Sequence, residues 1–171
     1  MALANETRQA RALDRRRSSG AAAVEFALVS GVLFLLVFGI IQYGLFFNDS
    51  LSTRQGVREA ARQAVVESFS FQSGCASGAN SVNLRCSTGK EIGAITGTPL
   101  VKVKAANWEK GQPVTVCAMV HSDGMIGLLP MPNGGWILSK TRMSIEQVTQ
   151  AGAWTDTEDS PAAGGPDWGW C

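Results

Sequence analysis

Residues Ala21–Phe47 read AAAVEFALVSGVLFLLVFGIIQYGLFF, and the reading of this stretch decides the fold. From Phe26 to Phe47 it holds no charge and no proline, and its polar interruptions are Ser30, Gln42 and Tyr43. A helix rises about 1.5 Å per residue and the hydrocarbon core of a bilayer is about 30 Å thick, so the run is long enough to span a membrane once. A removable secretory signal has a shorter apolar core, about 7–15 residues, followed by a small-x-small cleavage site. Here the run is longer and continues into Gly44-Leu45-Phe46-Phe47-Asn48-Asp49, which offers no such site, so a retained span is expected.

Toward the N-terminus, Ser18-Ser19-Gly20 separates the apolar run from Arg15-Arg16-Arg17. Residues 1–20 carry five arginines (with Arg8 and Arg11) against Glu6 and Asp14, and have no core-forming pattern. They read as a disordered cytoplasmic leader, because basic residues crowded before a span hold that end in the cytoplasm. The C-terminal part then lies outside. From Ala21 onward there are ten Lys/Arg against twelve Asp/Glu, and the basic run of the chain lies in the leader, so no nucleic-acid partner is expected. All four cysteines (Cys75, Cys86, Cys117, Cys171) fall on the outer side, where disulfides persist. Inside the first turns of the span sits a lone acid, Glu25, which is costly in apolar surroundings unless paired or neutralised.

Toward the C-terminus the helical period continues. Leu51, Val57, Ala60, Ala61, Ala64, Val65 and Phe69 recur at three- and four-residue steps, with Arg54, Arg58, Glu59 and Arg62 largely away from them. This is the pattern of an amphipathic helix. No proline occurs between Met1 and Pro99, so one helix from about Ala21 to about Val66 is expected, with Gly56 as a point where it loosens. From Ser68 to Gly97 the composition turns to Ser, Gly, Asn and Cys, and the segment between Cys75 and Cys86 reads as a surface loop. Three strand-like runs follow: Leu100–Ala105, Pro113–Val120 and Trp136–Val148, the first two joined by the turn Glu109-Lys110-Gly111-Gln112.

The fold class expected is α+β, a long N-terminal helix whose membrane span continues into an amphipathic half packed on a small antiparallel sheet. Its parts are a leader (1–20), a span (21–47), a helix extension (48–67), an extracytoplasmic domain (68–149) and a Trp-rich acidic tail without regular structure (150–171). Of the three ways to pair four cysteines, Cys75–Cys86 with Cys117–Cys171 is preferred. It closes a local loop and pins the tail to the sheet. Cys117 and His121 match no zinc spacing, and His121-Ser122-Asp123 is turn-like and no triad, so neither metal, cofactor nor enzymatic activity is expected. Small residues at Ala27 and Gly31 permit close helix packing. Asn48-Asp49-Ser50 is formally a glycosylation sequence but lies too near the membrane to count. Leu128-Leu129-Pro130-Met131 and the tail tryptophans fit either an exposed partner surface or loop residues packed over the sheet edge.

The order Arg15-Arg16-Arg17-Ser18-Ser19-Gly20-Ala21-Ala22-Ala23-Val24-Glu25-Phe26, continued by Phe38-Gly39-Ile40-Ile41-Gln42-Tyr43-Gly44 and by Arg58-Glu59-Ala60-Ala61-Arg62, resembles the TadE-like family. These are minor pseudopilins of the tight-adherence (Tad/Flp) type IV pilus system. The resemblance implies an inner-membrane, single-pass precursor cut by a prepilin peptidase between Gly20 and Ala21. It also implies that Glu25, with Phe26 beside it, meets the new N-terminal amine of a neighbouring subunit during assembly. The partners implied are the prepilin peptidase, other Tad pilins and minor pilins, the inner-membrane assembly platform and membrane lipid. The four cysteines and the Trp-rich tail depart from the family pattern. The alternative class is a permanently anchored extracytoplasmic binding or adhesion module, which has no use for Gly20 and Glu25.

Overall fold

In the computed structural model, residues 20–67, 73–75, 79–122, 129–148 and 154–171 are described in full and residues 2–19 as helical backbone. Phe69 and Leu128 lie outside them. Helix α1 runs Ala2–Val65, so the leader is helical where the sequence led us to expect disorder. The reason is composition: Ala, Leu, Gln, Glu and Arg dominate residues 2–17, and all are strong helix formers.

The chain divides into two units, residues 1–41 and 42–171. In the first, the large apolar side chains between Val24 and Ile41 are exposed, Ile40 most of all at 74%. Among the described residues α1 is the one helix long and apolar enough to cross a membrane. With every backbone group bonded inside the helix, such a surface is stable where lipid replaces water.

The second unit begins at Gln42, within the stretch assigned above to the span. Its part of α1 buries Phe46, Val57, Ala60, Ala61, Ala64 and Val65 against the core, in company with the polar Gln42, Asp49 and Thr53. Leu51, counted above with the inward stripe, is 58% exposed. The inward positions of its turn belong to Asp49 and Thr53, so polarity misassigns the face there.

A second helix, α2 (Asn80–Ile92), occupies most of the segment read as a loop. Leu84, Thr88 and Ile92 recur at four-residue steps on its buried face, and Thr88 Oγ1 donates back to Leu84 O at 2.7 Å. Small buried polar residues (Ser81, Asn83, Ser87) mask this period in the sequence. Gly93, in the left-handed region at φ 53°, ends the helix. Gly56 marks the closest approach of α1 to α2: a Cβ there would lie 2.7 Å from Ile92 Cγ1 and 3.3 Å from its backbone. Its function is close packing and not loosening.

Four antiparallel strands, β1 (Pro99–Ala105), β2 (Pro113–His121), β3 (Trp136–Ser144) and β4 (Thr157–Glu158), form one sheet in the order β3-β2-β1-β4. The register sets Val101 opposite Ala118 and Val116 opposite Thr141. Along β2, Val114, Val116, Ala118 and Val120 join the core with α1 and α2, while Cys117 and Met119 point to the reverse face. There they meet Trp168, with Leu100, Trp136 and Trp170 around them. The C-terminal segment, expected to be an unstructured tail, therefore forms a third layer and supplies a fourth strand. A two-residue strand leaves no periodicity to read. It is held instead by side chains: Asp159 Oδ2 accepts from Val101 N at 2.8 Å, and Asp156 Oδ1 from Ala105 N at 3.0 Å. β3 stops at Ser144, short of Val148, because the chain turns to α1, where Glu146 N and Gln147 N donate to Val65 O at 2.9 and 3.1 Å. That satisfies a carbonyl which a helix end leaves unpaired.

Candidate functional site

Gly20, Ala21, Glu25 and Phe26, the residues expected to serve processing and assembly, lie on the exposed part of α1. Gly20 and Ala21 are exposed within continuous helix, and a Cβ at Gly20 would meet nothing within 4 Å. Glu25 is exposed and makes no hydrogen bond or ion pair among the described residues, and Phe26 beside it is 72% exposed. The order of these groups is small, small, four residues on an acid, then apolar surface. Chemically this is a carboxylate with no partner of its own, on a surface that excludes water once it is in lipid or against other helices. A cation brought to it from outside would be strongly held.

The second unit fixes its own stretch of α1 through polar groups that the apolar pattern hides. Gln42 Nε2 donates to Leu129 O (3.2 Å) and Met131 Sδ (3.1 Å), and Tyr43 Oη donates to Pro130 O (2.9 Å). The apolar loop considered above as a partner surface is thus packed on α1 at the start of the unit, not over the sheet edge. Two turns on, the buried Asp49 carboxylate accepts from Ile95 N (2.9 Å), Thr96 N (3.0 Å) and Thr96 Oγ1 (2.5 Å). Thr96 Oγ1 is also hydrogen-bonded to Ser122 Oγ at 2.9 Å. Burial alone would raise the Asp49 pKa, but the bonds from Thr96 and Ile95 outweigh it and hold the carboxyl below its ordinary value. Asp49 stays charged and clamps the β1 approach loop to α1. Its signal in the sequence was an acid at an inward position, three residues after Phe46 and four before Thr53.

At the far end of α1, Glu67 accepts from Trp108 Nε1 at 2.6 Å, and Trp108 stacks on Trp154 with ring centroids 3.6 Å apart. The cysteines form two bonds, Cys75–Cys86 and Cys117–Cys171. The first ties the segment before α2 to the helix itself, and the second ties the C-terminal segment to the central strand. His121 lies against Trp136, ring centroids 4.5 Å apart, and Asp123 is outside the described residues. Among the described residues no three His, Cys, Asp or Glu side chains gather as a metal site would require.

The family model for TadE-like protein matches residues 20–62. Neither a curated protein nor a solved structure matches the chain. The matched segment begins at Gly20, takes in Glu25 and the whole exposed apolar surface, and ends at Arg62 before the first strand. Over residues 20–62, about a quarter of its length, this chain is similar to TadE-like protein.

Proposed function

We propose that the protein is a minor pilin of a Tad-type pilus, made as a single-pass inner-membrane precursor and cut by a prepilin peptidase between Gly20 and Ala21. It is not an enzyme. The observation that carries this reading is the coincidence of the TadE-like match with an exposed apolar stretch of helix whose single acid, Glu25, has no partner among the described residues. The cut creates an amino group at Ala21, close in sequence to Glu25. Ala21 and Glu25 stand one turn apart on the same face of the helix, so each chain presents a cation and an anion together, and helices stacked in register pair them across the subunit contact. A buried charge left without its partner costs about 3–5 kcal/mol, which makes the pairing a register check at every contact. The other pilins and the inner-membrane platform meet this helix, and the second unit is carried on its outer end as the part particular to this subunit.

The test is Glu25→Gln, which removes the charge and keeps the size. The variant inserts, is cut and forms both disulfides, but its incorporation into pilus complexes falls at least tenfold, read by immunoblot of sheared pili. Normal incorporation of the variant contradicts the role of Glu25, and loss of the folded outer unit assigns it a structural one.

A further inference from the structure

The outward face of α1 in the second unit changes character along its length. Phe47 and Leu51 are 61% and 58% exposed, four residues apart on one stripe. The same stripe continues at Arg54 and Arg58, both exposed, and neither forms an ion pair among the described residues. Arg62, one turn further, is bonded to Glu59 at 2.9 Å and so is neutralised. Two unpaired cations thus follow two uncovered apolar side chains on a unit whose exterior composition is otherwise mildly acidic.

We infer that this stripe is a docking face for anionic phospholipid headgroups of the outer leaflet, used while the subunit waits in the membrane. The inference rests on the membrane-span part of the proposed function. Its geometry follows from the helix: Gly20 to Phe47 rises about 40 Å, close to the full thickness of a bilayer with its headgroup layers, about 40–45 Å. With Gly20 at the inner surface, Phe47 lies at the outer interface. A helix tilt of about 20° lowers Leu51 into the same layer. Arg54 then stands just above the headgroups and Arg58 one turn, about 5 Å, further out, within about a Debye length of them. Long cationic side chains lean back toward the phosphates while their stems cover apolar surface. A phosphate matches the forked guanidinium in geometry as well as charge. A protein partner would have to supply acids beside an apolar strip, whereas the interface of the membrane that the chain already spans supplies both.

The experiment reconstitutes the full-length chain in nanodiscs of phosphatidylcholine containing phosphatidylglycerol, releases it into detergent and weighs retained lipid by native mass spectrometry. The wild type retains phosphatidylglycerol in preference. Arg54→Gln/Arg58→Gln loses that preference by about twentyfold, each basic residue at a membrane surface contributing about fivefold. Lys104→Gln/Arg142→Gln, which removes two exposed charges from the strands, keeps it. Equal losses in both double variants, or none in the first, overturn the inference. So does loss of self-association in detergent with lipid retention unchanged, which would give the stripe to a second copy. Alkaline carbonate extraction distinguishes the two claims: a chain released from membranes refutes the span itself, and a chain retained without lipid preference refutes the headgroup face alone.

Discussion

The two parts of α1, Gly20–Ile41 and Gln42–Val65, obey opposite rules. In the first, large apolar side chains are exposed and the lone acid has no partner among the described residues. In the second, the polar Gln42, Asp49 and Thr53 are buried, Asp49 and Thr53 fully bonded, and alanines and a glycine make up much of the packing surface. Apolar content therefore does not report burial within the protein. The more hydrophobic part is the one left exposed, as a membrane-type helix would be, and the more polar part is the one that the second unit holds.

The sharpest way to break this comparison is to make a polar-to-apolar change in the held part and an apolar truncation in the exposed part. Asp49→Ala leaves Ile95 N and Thr96 N without an acceptor and costs the outer unit about 3 kcal/mol. Leu33→Ala, in the first part, leaves its stability unchanged. All five tryptophans lie in the second unit, so thermal unfolding in detergent followed by near-ultraviolet circular dichroism reads that unit alone. Equal effects of the two changes would erase the distinction.

A smaller contrast comes from two glycines in the held part. Gly56→Ala forces Ile92 to move and costs about 1–2 kcal/mol by overpacking, even after the gain in helix propensity. Gly44→Ala meets nothing within 4 Å and gains up to about 1 kcal/mol from the same propensity. Denaturant midpoints of the two variants in detergent should therefore move in opposite directions.

Much of this division was legible. The length and purity of Ala21–Phe47 announced a long apolar helix of the membrane-spanning type, though its last turns from Gln42 belong to the second unit, and alternation along Pro113–Val120 announced a strand. What escaped notice did so for physical reasons. α2 packs through Leu84 and Ile92 with Ser and Thr between them, so tertiary contacts and the Cys75–Cys86 bond define it, not hydrophobic period. β4 has two residues and is held by aspartate side chains on the edge of β1. Asp49 broke the apolar stripe because it is an inward clamp, and that same displacement put Leu51 on the wrong face. Glu25 was conspicuous in the sequence because it is the one acid in an apolar stretch of helix, and its role belongs to the proposal above.

The smallest expected effect is one of pH. The Asp49 pKa is depressed in the folded chain by the bonds from Thr96 and Ile95, so its contribution to stability is complete above the unfolded carboxyl pKa. It fades as pH falls through the lower, folded value. Acid unfolding of the outer unit should show this loss, and Asp49→Asn should flatten it while Glu25→Gln should not. An unchanged acid limb in Asp49→Asn would mean that other carboxylates govern it.

As an assembly helix, α1 would be released by cleavage between Gly20 and Ala21. Intact-mass measurement of the protein from cells that contain its prepilin peptidase tests this directly. The mass of a chain beginning at Ala21, with both disulfides closed, is the result expected; Arg15-Arg16-Arg17 still attached would contradict it and leave α1 a permanent anchor.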